Sequence, residues 1–276
     1  MTPYLLIFGY GYIGEAFARL ARDAGLRIAA TARTPEKRQA LEAQGIIALD
    51  PAQAAGVRAE AVLITPAPGD DGCPAFAALA PVKSSQWIGY LSTTGVYGDR
   101  DGGWVWEDSE LLPSSAEGRR RVLAEQQWQS VGAHVFRLPG LYGPGRNVIE
   151  RLREGTARRI HKPGHVFSRL HHDDCATALL RSLNRPRPGG VYNLCDDEPA
   201  PADQVLVLAA SLAYLPLPEL TAWDDPRFPA MQRFYRDNKR VSNALIKAEL
   251  GWRPAYPTYR EGLSAIWRGI QDLQKD

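Results

Sequence analysis

The chain has 276 residues, 45% of them apolar and 23% charged. It is long enough to bury a sizeable core without disulfide or metal staples, and too apolar to be disordered as a whole. Thirty-three Lys and Arg against 31 Asp and Glu leave a formal charge of +2, which provides no bulk attraction for nucleic acid or an anionic membrane.

Residues 4–8 are a short apolar run that reads as a buried strand. Gly9-x-Gly11-x-x-Gly14 follows, and Ile13, Phe17, Leu20 and Ala21 then recur at helical spacing until Gly25 stops the helix. A second strand is predicted at 26–31, a helix at 35–44 and a third strand at 46–49. A fourth strand at 61–65 is closed by Pro66-Ala67-Pro68-Gly69, and a fifth spans 87–92. A helix over 114–131 precedes a sixth strand at 134–138. The apolar stretch 205–217 reads as a buried helix, and another strand falls at 191–194. Strands alternating with helices predict an α/β fold with a doubly wound parallel Rossmann sheet. After Pro139 the alternation fades into Pro-rich segments, which predicts a small C-terminal substrate lobe. The expected division is a dinucleotide-binding domain at 1–143, with 170–195 returning to its sheet, and a lobe mainly at 144–276.

No apolar stretch reaches about 18 residues, so no spanning helix is expected. The first residues lack a basic region, so no targeting segment is expected either. Cys73, Cys175 and Cys195 form no disulfide or metal framework. The expected location is therefore a reducing cytoplasm.

A glycine motif between a strand and a helix has a mechanical reading. Gly9 allows the tight turn, Gly11 lets the backbone approach a pyrophosphate, and Gly14 lets helix and strand pack closely. The helix start then offers free N–H groups and a positive dipole end to the phosphates. An NAD site would place an acid about 20 residues further on. Here the second strand ends in Thr31-Ala32-Arg33, with Lys37 and Arg38 following and no acid at the strand's end. A planar guanidinium at Arg33 suits a 2′-phosphate, so NADP is favoured over NAD. Asp50 has two readings: a hydrogen bond to the adenine amino group, or a helix N-cap before Pro51.

Further segments resemble the extended short-chain dehydrogenase/reductases, the NAD-dependent epimerase/dehydratase family. They are Leu91-Ser92-Thr93-Thr94-Gly95-Val96-Tyr97-Gly98, Arg137-Leu138-Pro139-Gly140-Leu141-Tyr142-Gly143-Pro144-Gly145, His171-His172-Asp173-Asp174, Val191-Tyr192-Asn193 and Leu250-Gly251-Trp252-Arg253-Pro254. The resemblance runs over most of the chain. It places Tyr12, Ile13, Pro66, Ser92 and Pro139 against the cofactor, Thr93 on the substrate oxygen and Arg169 toward the substrate, where a surface salt bridge is the competing reading. It implies a small-molecule substrate of polar, nucleotide-sugar type, with no nucleic-acid or membrane partner, and it leaves a homodimer open.

In that family a Tyr and a Lys four residues later carry the proton, because a phenol near pKa 10 needs a neighbouring cation to work at neutral pH. Here Glu117 and Arg121 stand at those positions. Arg does not give up its proton, and Glu titrates near 4.3 unless buried. Glu117 is either a burial-shifted base, or the end of a Ser114-x-x-Glu117 capping box paired with Arg121. Tyr97 and Tyr142 are the other candidate proton carriers. Tyr235 and Lys239 have the Tyr–Lys spacing, but they fall in the region assigned to the small lobe. Arg119-Arg120-Arg121 reads as a solvated face. His161, His165, His171 and His172 lack a helical zinc spacing, and no metal is expected. The expected function is an NADP(H)-dependent oxidoreductase or epimerase with an atypical active site; the alternative is a catalytically silent NADP(H) sensor.

Overall fold

A computed structural model describes residues 4–79 and 87–274. Strand β1 (Tyr4–Phe8) runs through the glycine turn into α1 (Tyr12–Asp23), then β2 (Arg27–Thr31), α2 (Pro35–Ala43) and β3 (Ile47–Leu49). Next come β4 (Ala61–Ile64), α3 (Pro74–Ala78), β5 (Trp87–Thr93), the small β6 (Trp104–Val105), α4 (Ala116–Gln129) and β7 (His134–Leu138). The chain continues with β8 (Gly140–Tyr142), α5 (Val148–Arg153), β9 (Arg159–His161), β10 (Arg169–His171), α6 (His172–Asn184) and β11 (Val191–Asn193). The remainder is α7 (Ala202–Ala213), β12 (Leu220–Ala222), α8 (Pro229–Gln232), β13 (Arg240–Val241), α9 (Ala244–Leu250) and α10 (Tyr259–Asp272).

Seven strands pair in the order β11-β7-β5-β4-β1-β2-β3, and each pairing is parallel. This is the doubly wound Rossmann sheet expected from the sequence. Helices cover both faces, so a central strand must be apolar throughout rather than alternating. β1 meets that demand: Leu5 and Ile7 pack with Phe17 of α1 and Leu179 of α6, while Leu6 and Phe8 pack with Trp128 of α4. Each such buried side chain contributes roughly 1.5–3 kcal/mol. Beyond the sheet, Ile149 of α5, Leu206 and Ala209 of α7, and Tyr259 and Leu263 of α10 form a second core.

The run read as a helix over 205–217 is helical earlier and shorter, as α7. Tyr214 adopts a left-handed backbone (φ 55°), and Pro216 cannot extend the helix. No helix among the described residues is long and apolar enough to cross a membrane.

One late segment returns to the large sheet's domain. β13 pairs with β6, Asn238 N donates to Asp99 Oδ1 at 2.7 Å, and Lys239 Nζ donates to the Gly98 carbonyl at 2.8 Å. Ser114 Oγ and Asp237 Oδ1 are 2.6 Å apart. Tyr235 and Lys239 therefore do not act as a pair: the Tyr235 hydroxyl turns to the Ile160 carbonyl while Lys239 is drawn to Gly98.

Candidate dinucleotide and substrate site

Strand order reverses between β1 and β4, and ligands of open α/β sheets bind at the carboxyl edge beside such a reversal. The glycine turn lies there. Gly9 has φ +90°, and a Cβ on it would sit 2.6 Å from Thr65 Oγ1. Its N–H donates to Thr31 Oγ1 at 2.8 Å, and its carbonyl accepts from Thr65 Oγ1. Gly11 is the opposite case: nothing lies within 4 Å of a Cβ built on it. It is the N-cap of α1, and no side chain caps that helix. The helix thus starts beside open space at Gly11 with no side chain claiming its first N–H groups, which suits a pyrophosphate.

At the end of β2, Arg33 is exposed. Arg38 lies behind it, its Nη1 donating to the carbonyls of Ala32 at 2.9 Å and Arg33 at 3.1 Å and to Asp50 Oδ2 at 3.3 Å. Asp50 itself caps the next turn through Ala52 N, in a capping box with Gln53. Its carboxylate is therefore engaged by the capping role that the sequence left open.

Thr93 stands at the carboxyl end of β5, half-buried, with Oγ1 accepting from Gly95 N at 3.2 Å. Pro66 follows β4, and Pro139 sits half-buried between β7 and β8. Glu117 is exposed in the first turn of α4, so it lacks the burial that the base reading demands. The expected capping box is not formed, because the helix starts one residue later and Gly118 has no side chain to return the bond. Ser115, not Ser114, is the N-cap, and it accepts from Gly118 N at 3.0 Å. Arg121 does not pair with Glu117. It points under the sheet's edge, where Nη1 donates to the Leu91 carbonyl at 2.6 Å, the Tyr90 hydroxyl at 3.0 Å and the Pro66 carbonyl at 3.4 Å. The three arginines are thus not one solvated face: Arg120 pairs with Asp70 at 2.6 Å and Arg121 turns inward.

Two expected site residues belong to the interior instead. Ser92 is 4% exposed, and its hydroxyl donates to Glu125 Oε1 at 2.5 Å. Glu125 forms a buried ion pair with Arg137 at 2.8 Å. Arg137 donates to the Tyr97 hydroxyl at 2.8 Å, which donates in turn to Asn193 Oδ1 at 2.7 Å. Tyr97 is fully buried, and burial pushes its phenol up to about 12. Its hydroxyl and that of Ser92 are tied to interior partners. The sequence hid this network because Ser92, Tyr97 and Arg137 lie inside the very segments that resemble the family's site.

Between β8, β10, α5, α7 and α10 lies a cleft of about 610 Å³ lined by Tyr142, Arg146, Arg151, Arg158, Phe167, Arg169, Phe234, Tyr235 and Tyr259, among others. Arg169 forms no surface salt bridge: Nη1 donates to the carbonyls of Phe167 at 2.8 Å and Ala200 at 2.9 Å. Burial depresses its pKa. The Tyr142 hydroxyl has no hydrogen-bond partner among the described residues, and burial raises its pKa far above the ordinary phenol range. His171 caps α6 by accepting from Asp173 N, whereas Asp174 reaches across to Ala255 N and Tyr256 N. His171, His172 and Asp173 bring ligand atoms within 4.8 Å of one another, a convergence the sequence spacing did not reveal. Arg19 pairs with Asp173 at 2.5 Å, and the positive end of α6 lies beneath the cluster, both unfavourable to a cation.

Behind the cleft, His165 is buried between the rings of Phe167 and Tyr235, at 4.5 and 5.2 Å. Burial, reinforced by Lys162, lowers its pKa to about 4. A histidine depressed in the fold binds fewer protons there than when unfolded, so its contribution is complete above about 6.5 and lost as pH falls toward 4. His134 and His172 shift in the same direction. Chemical denaturation across pH should therefore show stability falling between pH 6.5 and 4, with a shallower fall in His165→Phe. An unchanged slope in that variant would contradict the assignment.

No protein-family model matches the chain. It is 46% identical to a conserved protein of unknown function from Silicibacter pomeroyi whose structure has been solved, with a TM-score of 0.90 covering 97% of this chain and 99% of that one. The chain belongs to the family of that protein. A 3-diazoavenalumate denitrifying reductase from a Streptomyces species is 29% identical over 90% of this chain and 72% of the reductase. Protein YeeZ of Escherichia coli is 30% identical over 61% of this chain, a match spanning only 58% of YeeZ. The dTDP-glucose 4,6-dehydratase of Bacillus anthracis, solved with NAD, superposes with a TM-score of 0.80 at 16% identity, over 99% and 98% of the two chains. The fold is therefore that of the NAD-dependent epimerases and dehydratases, the extended short-chain dehydrogenase/reductases.

Proposed function

We propose that the chain is an NADP(H)-dependent oxidoreductase, working as a reductase on a small molecule held between the sheet's carboxyl edge and the small lobe. The observation that carries this is the uncapped start of α1, open at Gly11 and placed at the strand-order reversal. A bound dinucleotide would supply the hydride. The N–H groups of Tyr12 and Ile13 would hold its pyrophosphate, and Arg33, with Arg38 behind it, a 2′-phosphate. Thr93 would polarise the acceptor. Arg121, tied to Leu91 and Pro66, would brace the floor of the site and stay charged.

A reductase is favoured over an epimerase because of Glu117 and Arg121. Epimerisation through a ketone must take a proton from a hydroxyl and return it, and neither residue is placed to do so. A reduction that leaves no alkoxide needs no such carrier. The name of the Streptomyces relative describes reduction of a diazo compound rather than of a carbonyl. The same exposed Glu117 also favours a second reading, a sensor that binds NADP(H) without turnover. Turnover that is lost in Thr93→Val would decide for the enzyme.

Fluorescence titration with NADPH and NADH tests the cofactor. Arg33→Ala should weaken NADPH at least tenfold and leave NADH within twofold. Equal losses on both would remove the 2′-phosphate role.

A further inference from the structure

The cleft is poorly equipped for a sugar nucleotide. Such a ligand brings ring hydroxyls and base edges, and each one that is buried needs a partner. Of the neutral polar side chains lining the cleft, Asn147, Ser168 and Tyr235 are already engaged with the backbone, which leaves the Tyr142 hydroxyl, unpartnered among the described residues, as a single polar group. Asn147 donates to the Gly143 carbonyl and accepts from Glu150 N. Ser168 Oγ accepts from Val241 N, and the Tyr235 hydroxyl donates to the Ile160 carbonyl. Beyond that one hydroxyl, what the cleft has left to offer is charge and flat apolar surface. Arg146, Arg151, Arg158 and Arg169 face two acids, Glu150 and Glu154, and Glu150 already accepts from Gly145 N.

Arg169 is the centre of this arrangement. Its guanidinium lies 5.9 Å from the ring centres of both Phe167 and Tyr259. Nη1 is fixed by two carbonyls, so the Nε–Nη2 edge, suited to a parallel pair of bonds to a carboxylate, is the edge left for a ligand. The acid behind it, Asp196, makes no ion pair with it among the described residues, and burial holds that carboxyl toward its neutral form at about 8. The Asp196 carboxyl attracts the Arg169 guanidinium without touching it, so this largely buried cation has only a remote counter-charge, which is costly, and an incoming anion would supply a direct one.

We propose that the cleft takes a flat, apolar carboxylic acid, aryl or conjugated, with its carboxylate on the free edge of Arg169 and its plane against Phe167, Phe234 and Tyr235. The inference rests on the oxidoreductase reading for the reaction, but not for the binding.

Calorimetric titration of the NADP⁺-saturated protein with trans-cinnamate and, separately, with UDP-glucose tests this. Cinnamate should bind in the micromolar to low-millimolar range and UDP-glucose at least tenfold more weakly. Arg169→Gln should weaken cinnamate at least tenfold. Phe234→Ala, at a half-exposed ring where the fold is not at risk, should weaken it three- to tenfold. Tighter binding of UDP-glucose, no binding of cinnamate, or cinnamate binding indifferent to both substitutions would each overturn the proposal. If the protein fails to bind NADP⁺ but still binds cinnamate through Arg169, the oxidoreductase reading falls and the anion site stands.

Discussion

Glu125→Ala should cost about 3–5 kcal/mol of stability, the range for removing one partner of a buried ion pair. The pair with Arg137 is almost wholly enclosed, the two side chains being 2% and 5% exposed. Truncating Glu125 leaves a guanidinium stranded under β5 and strips the Ser92 hydroxyl of its acceptor. The loss should appear as a lower midpoint in chemical denaturation. The double variant Glu125→Leu/Arg137→Met should recover most of it, because two charges taken out of water repay little more than good apolar packing. A loss below about 1 kcal/mol in the single variant would show that water reaches the pair. The network also holds Tyr97 and Asn193, so this stability is spent on the wall directly behind Thr93.

Gly11→Ala should abolish measurable dinucleotide binding, at least 100-fold or about 3 kcal/mol, while the melting temperature stays within about 2 °C. The backbone of Gly11 is extended, at φ −137°, a conformation any residue adopts, and an added methyl group meets no protein atom within 4 Å. It would meet only a pyrophosphate. Gly9→Ala should behave differently: with φ +90° and Thr65 Oγ1 at 2.6 Å, it strains the fold itself. Calorimetry with NADPH alongside thermal melting separates the two. A Gly11→Ala protein that binds NADPH normally would mean that the phosphates do not sit on this turn.

The sheet was legible because its signals are local. A central strand covered on both faces must be a short continuous apolar run, and residues 4–8 and 134–138 are such runs, with the observed bounds. The glycine motif was legible for the same reason, since it is a turn with a strand before it and a helix after it. The interior polar network was not. Nothing local distinguishes a serine aimed at a cofactor from one aimed at a glutamate 33 residues later. Arg121 was misread because helical spacing pairs it with Glu117 on a surface, whereas the Leu91 and Pro66 carbonyls and the Tyr90 hydroxyl offered a better set of acceptors. The shortened α7 reflects a different competition: composition alone extends the run to Leu217, but a left-handed residue and a proline end it. The cleft's engaged polar groups depend on partners up to 75 residues away.

The tie between residues 237–241 and residues 98–114 has a consequence for how the molecule is made. Lys239 lies 141 positions beyond Gly98 along the chain, and β13 can pair with β6 only once residue 241 has been synthesised. Long-range closures of this kind come late and slowly, after local helices and hairpins have formed. A nascent chain still on the ribosome can therefore assemble the glycine turn and most of the sheet, yet carries an unfastened loop beside Thr93 until residues 237–241 emerge. Truncation just before residue 237 should yield chains that look folded by circular dichroism but are prone to aggregate through Trp104 and Trp106, which are half-exposed.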